Sequence, residues 1–230
     1  MHSIVIKFFF FFFFSYNLFA ASGEADKYEV TMKKVELCTS SSCSSPTVVA
    51  TGSQSVNVAS LSAGAEAAAF GSTSGLPIGT SFTHLRVTLN RSFTIEGEVN
   101  VSGDNWCSTD SSAAGTATAL HRGTLKTDNS PTDGTDQTLY LADAATNYGD
   151  GNDITISYAS PSSAVSITIG SPSSSEVQLI YKLTSTYIAG PIAPKIKVSF
   201  DTSTALGAGI SDSKCEMWPQ EPIVTISLTE

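Results

Sequence analysis

Chemistry in this chain must come from a short set of side chains: Cys38 and Cys43 in "VELCTSSSCSSP", Cys107, Cys215, His84, His121 and a cluster of loop aspartates. Cysteine with histidine suggests zinc, but a zinc site needs three or four ligands, and neither histidine has ligand-like spacing. His84 falls on the outward face of an alternating strand, where a solvated side chain is expected. C-x4-C is not the C-x-x-C of a redox pair, and no helix N-terminus is expected beside it to stabilise a thiolate. An even cysteine count in an exported chain reads instead as disulfides. Of the three pairings, we expect Cys38 with Cys43, which share a loop, and Cys107 with Cys215, each near a tryptophan (Trp106, Trp218). The first would pin the turn leaving the first strand. The second would close a loop of about a hundred residues, worth up to ~4–5 kcal/mol on the chain-entropy model.

The aspartates Asp128, Asp133, Asp136, Asp143, Asp150 and Asp153 lie close together in sequence. "YGDGNDITI" (148–156) is similar to one copy of the calcium-binding G-G-x-G-x-D-x-U-x nonapeptide, departing from it at Tyr148 and Thr155. That architecture needs a stack, and "DNSPTDGTD" lacks the spacing of an EF-hand loop. Asp-Gly also suits turn geometry without any metal. No cofactor is therefore expected except calcium, at an isolated loop site drawn from Asp133, Asp136, Asp150, Asn152 and Asp153. No nucleophile stands out: "GSTSG" (71–75) has Thr73 at its centre and is not a G-x-S-x-G elbow. Glu96 and Glu98 share a strand face, the ordinary result of alternation on a wet face. Trp106, Trp218, Tyr140, Tyr148 and Tyr187 could stack on sugars, but packing on disulfides and strand edges is expected first. Asn90 and Asn100 begin N-x-[ST] sequons.

The compartment decides how the cysteines are read. "MHSIVIKFFFFFFFSYNLFAA" (1–21) has Lys7, an apolar core and small residues after it, which is the form of a secretory signal peptide. Its apolar run is broken at Ser15 and Asn17, short of the ~20 residues that span a bilayer. Cleavage is expected between Ala20 and Glu24. The remainder, 22–230, reads as one exported domain: periplasmic, cell-surface or extracellular, with no membrane insertion after cleavage. Charged residues are only 14% of the chain, against ~25% in typical globular proteins. The formal net charge of -9 argues against nucleic acid or an anionic membrane surface as a partner.

The elements that must position these residues are strands. Period-two alternation recurs in "YEVTM", "TVVA", "SVNV", "THLRVTLN", "FTIEGEVNV", "TLYL", "ITISY", "VSITI", "VQLIYKL", "KIKVSF" and "IVTISL". Helical periodicity is confined to 60–70. About ten to twelve short strands with turn residues between them predict an all-β, antiparallel β-sandwich with little helix. Its core would hold Val30, Val35, Leu37, Val56, Val58, Leu85, Val87, Leu89, Ile156, Ile167, Leu179, Ile196, Val198 and Ile226. The least regular stretch, 102–136, reads as a long loop or a division within the domain.

"YEVTMKKVELC", "VNVASLSAGA", "GLPIGTSFTHLRVTL" and "FTIEGEV" together resemble uncharacterised exported proteins found in marine planktonic bacteria. More distantly they are similar to small secreted sandwich domains with an "LPxGxYxxLRV" strand, Phe82 standing at the Tyr position. The likeness covers about residues 28–100. It implies an exported β-sandwich and carries no catalytic motif.

These readings combine into an exported structural or surface interaction protein without catalytic activity, binding a protein or surface glycan or assembling with itself through exposed strand edges. The alternatives are a calcium-dependent carbohydrate-binding module and a hydrolase with an unrecognised site.

Overall fold

The computed structural model describes residues 20–61, 73, 75–113, 121–130, 132–141, 163–169, 174–211 and 213–229. The leader up to residue 19, most of the helical stretch 60–70, "ITISY" with Ile156, and Tyr148, Asp143, Asp150, Asn152 and Asp153 lie outside them.

The described chain is all-β and antiparallel, in fourteen strands. Its axis is the long strand β2 (Ala25–Cys38), which follows β1 (Ala20–Gly23). One edge of β2 takes β3 (Thr47–Asn57), a single strand where the sequence suggested two short ones. The other edge takes β4 (Ser81–Asn90) and β5 (Ser92–Ser102) in succession, separated only by Arg91. Arg91 is fully buried. Its N–H donates to the Ser175 carbonyl at 2.8 Å, its carbonyl accepts the Leu141 N–H at 3.0 Å, and its Nε donates to the Leu141 carbonyl. Satisfied donors are what allow a charged side chain to sit at a strand break in the interior.

A one-residue irregularity in β2 decides which side chains meet the core. Tyr28, Val30 and Met32 face inward, and strict alternation would then turn Val35 and Leu37 out. The register shifts between Met32 and Lys34 against both neighbouring strands, and this bulge returns Val35 and Leu37 to the inside.

The sheet widens from both parts of the bent strand. β4 pairs with β10 (Glu176–Ile188), which carries β9 (Ala164–Ile169) outside it. β5 pairs with β6 (Asn105–Ser108) and β8 (Gln137–Tyr140). From β6 the path runs through β7 (Arg122–Lys126), β13 (Lys214–Pro219) and β12 (Leu206–Ser211) to β1. The stretch 102–136 thus contains two strands of the main sheet and is not a loop throughout. Leu206 of β12 bounds the space beside Gly97 of β5, so this half folds back over the other. A separate antiparallel pair, β11 (Lys195–Asp201) with β14 (Ile223–Thr229), covers the face of β10. The result is the two-layered, sandwich-like arrangement that one-sided alternation requires.

Both expected disulfides are present: Cys38–Cys43 closes the loop after β2, and Cys107–Cys215 ties β6 to β13 across 108 residues of chain. The tryptophans do not pack on the long bridge as expected. Trp106 and Trp218 lie one and three positions from their cysteines, and odd spacing on a strand points them to the opposite face. Trp218 instead covers Gly207, where any Cβ would sit 2.1 Å from its Nε1. Trp106 donates to the Asn129 side chain at 3.3 Å.

Candidate functional site

Alternation places Val56, Val87, Leu89, Ile167, Ile196 and Val198 inward, and all six pack against the core. Each is nevertheless only partly buried. The area they keep faces a cavity of about 260 Å³ that all six line, between the inner face of β2, β3, β4, β9 and β10 and the covering pair β11–β14. Core packing normally leaves few voids larger than a water molecule. An engineered cavity of about 150 Å³ in an apolar core already admits benzene. This one is larger, and its walls are aliphatic and aromatic.

Three of its polar side chains, Glu221, Tyr181 and Tyr28, gather at one end. Glu221 and Pro222, just before β14, line the cavity with Tyr181 of β10 and Tyr28 of β2. The Glu221 Oε1 accepts the Ala164 N–H at 3.0 Å and the Ser163 hydroxyl at 3.3 Å. The Pro222 carbonyl, 3.1 Å from the Ser163 hydroxyl, is the alternative acceptor for its single proton, and the Ser163 oxygen accepts the Val224 N–H at 2.9 Å, which stitches the start of β9 to the start of β14. The Tyr28 hydroxyl donates to the Gln220 carbonyl at 2.9 Å, and its ring lies 5.6 Å from that of Phe93. Burial pushes the Glu221 carboxyl above its ordinary value, outweighing hydrogen bonds from Tyr181, Ala164 and Ser163 that favour the anion. Burial, then Glu221 itself, raises the Tyr181 phenol well above its usual range. The opposite end is marked by Pro194, whose carbonyl accepts the Thr73 hydroxyl, and by the exposed Lys195.

The chain was compared with protein-family models, with curated proteins and with solved structures, and none of the three gives a match.

On the outer face of the same sheet a polar network sits beside the Cys38–Cys43 ring. Glu36, almost wholly buried, meets the Arg86 Nε at 2.7 Å and the Lys34 Nζ at 2.6 Å. Arg86 also reaches the Cys43 carbonyl at 3.4 Å, and the Thr83 hydroxyl donates to the Thr39 carbonyl at 3.0 Å. The disulfide ring is thereby fastened down over Ile180. Beneath this edge His84, opposite Cys38 in the register, is 9% exposed and not the solvated residue expected. Its Nδ1 lies 2.8 Å from the Thr83 hydroxyl, and burial, then the Lys182 charge, lowers its pKa.

His121 is buried, with Nε2 accepting the Tyr140 N–H at 3.0 Å and its ring stacked on Tyr140 at 6.0 Å. Burial, then Arg91, lowers its pKa to about 4. A ring nitrogen already committed to a backbone donor is not a general base. Asp136 is bound to Lys27 at 2.6 Å, and Asp133 stands near Glu98. Among the described residues no three His, Cys, Asp or Glu side chains gather as a metal would need. Glu96 and Glu98 share the half-buried face that alternation assigns them. Tyr187 is buried and offers no platform to a sugar.

Sequence reasoning missed Glu221 and the cavity. The signal for Glu221 was "PQEPI", a lone carboxylate held between prolines directly before a strand.

Proposed function

We propose that this chain is a non-catalytic binding protein, exported and oxidised, whose cavity between the two layers takes a small apolar molecule. The observation that carries this is the set of inward-facing aliphatic side chains that remain half-buried and line about 260 Å³ of space between the layers. Burying such walls against a guest recovers on the order of 25 cal/mol per Å² of apolar surface. The leader-like N-terminus and the two disulfides support an oxidising compartment. Titration with N-phenyl-1-naphthylamine, a neutral apolar dye, should give saturable binding that Val198→Trp abolishes while the fold is retained. Unsaturable binding, or binding that survives the filled cavity, would overturn the reading.

A second reading, self-assembly, is favoured by Ile78, Ile188 and Ile192, which are 74%, 62% and 59% exposed. The Gly79 N–H donates to the Ala189 carbonyl at 2.8 Å, which brings Ile78 and Ile188 to one end of the sandwich. An apolar patch of this kind fits a second copy of the chain. Sedimentation at rising concentration should show association that Ile78→Ser with Ile188→Ser removes; a monomer throughout would end this reading.

A further inference from the structure

Resting on the cavity reading, we propose that the guest is a compact ring hydrocarbon, held flat between the layers and carrying no charged or hydrogen-bonding head group. Two observations lead there, and the first is shape. Five neighbouring strands, β3, β2, β4, β10 and β9, contribute to the lining, and at ~4.8 Å between strands they span about 19 Å. Along β11 the lining runs from Lys195 to Phe200, about 17 Å at ~3.3 Å per residue. The space is therefore as broad as it is long, and layers that pack ~10 Å apart keep it shallow. A flat ring system suits such a slab better than one extended chain. Scaled from a ~150 Å³ cavity that holds the six carbons of benzene, 260 Å³ takes roughly ten, a bicyclic skeleton.

The second observation is that the polar side chains on the lining are already engaged. Among the described residues these are Tyr28, Thr73, Tyr181, Lys195 and Glu221. The Tyr28 hydroxyl donates to the Gln220 carbonyl, and the Thr73 hydroxyl to the Pro194 carbonyl. Tyr181 and Glu221 hydrogen-bond each other, Glu221 also holds the Ala164 N–H, and Lys195 has a partner of its own. A polar group on the guest would lose its water and have to compete with one of these contacts to replace it. A charged head would lose more, since the rest of the wall is apolar. A hydrocarbon gives up no hydrogen bond to water and leaves the lining as it stands.

Calorimetry on the full chain with naphthalene, 2-naphthol, 2-naphthoate and 1-octanol tests head group and shape separately. Naphthalene should bind at least ~5-fold more tightly than 2-naphthol, the low end of what burying an uncompensated hydroxyl costs. No binding of 2-naphthoate is expected at neutral pH. The alcohols 2-naphthol and 1-octanol carry the same hydroxyl and partition from water into oil about equally, yet the ring should bind several-fold more tightly because no chain must be ordered. Glu221→Gln should leave naphthalene binding unchanged, and Val198→Trp should abolish it. Either polar naphthalene binding as tightly as the parent hydrocarbon would overturn the absence of a head group, and 1-octanol matching 2-naphthol would overturn the ring. Naphthalene that fails to bind where N-phenyl-1-naphthylamine does, or that ignores Val198→Trp, would overturn the proposal and leave the cavity reading intact. If the dye and all four compounds fail, the proposal and the cavity reading fall together.

Discussion

Glu36 and Glu221 are both drawn out of water, and the fold treats them in opposite ways. Glu36 lies on the outer face of β2, where burial pushes its carboxyl up but hydrogen bonds and charge from Arg86 and Lys34 outweigh it and hold the group below its ordinary value. Glu221 lies at the end of the inner cavity, met by hydroxyls and a backbone N–H, and burial wins. A carboxylate gripped by two cations locks structure in place. One left in a poorly solvated position beside empty volume holds its proton more readily. The outer face is thus a closed polar clasp over the disulfide ring, and the inner face is where the molecule keeps room.

The largest test of this contrast is the pair Glu36→Gln and Glu221→Gln. Removing one member of a buried, hydrogen-bonded ion group costs about 3 kcal/mol, because the partners left behind are no longer compensated. For a chain of this size that lowers the melting temperature by roughly 6–12 °C. Glu221→Gln should change stability at neutral pH by about 1 kcal/mol or less, with stabilisation as the favoured sign, since it removes a charge that burial disfavours. Equal losses in the two variants, read by thermal melts, would erase the distinction between the faces.

Acid sharpens it next. A group whose folded pKa is depressed stabilises the fold above its unfolded value and loses that contribution as pH falls. Glu36 follows this rule below about pH 4.5. His121 follows it earlier: held near 4 against 6.5 when unfolded, it must stay neutral, and protonation between those values removes on the order of 3 kcal/mol. Glu221 has the opposite sign. Its raised pKa makes its contribution largest in acid and loses it as pH rises through the folded value. Melting temperatures should therefore fall from pH 6.5 to 4 in the wild type. The gap between wild type and Glu221→Gln should narrow over the lower part of that range. A gap that widened toward acid would assign Glu221 the wrong environment.

Which side chains face inward was largely legible in the sequence; the burial of the outer face and the cavity were not. Alternation in "THLRVTLN" put His84, Arg86 and Thr88 on the correct face, but a face is not an exposure. The ring from Cys38 to Cys43 and the ion group below it cover that face, so His84 and Thr88 are buried. Strands rich in aliphatic residues announced themselves. β12, "LGAGIS", did not, because its small residues are there to seat neighbours such as Trp218 over Gly207. β6 and β7 hid in a polar stretch for the same reason: pairing, not patterning, holds them. The bulge after Met32 explains how Val30 and Val35 both reach the core, although their spacing gives them opposite faces. Volume leaves no mark on any single residue. A valine facing a cavity and a valine facing a leucine look alike in a sequence, so the cavity appears only when both layers are assembled.

The smallest expected effect concerns calcium, and it tests how far the polar surface resembles the clasp around Glu36. Of the loop carboxylates proposed as ligands, Asp136 already holds Lys27 at 2.6 Å, and that hydrogen bond raises the lysine's pKa. Because the pair lies at the surface, Asp136 exposed and Lys27 partly so, it is worth little and salt weakens it further. Calcium would have to displace the lysine and gather several more oxygens around itself. Millimolar calcium against chelator should then move the melting temperature by less than about 1 °C. A rise of several degrees that Asp136→Asn abolished would mean this loop organises around an ion. In that case the exposed pair with Lys27 would be what the loop does when the ion is away, and the surface, like the cavity, would hold a site shaped for something it binds.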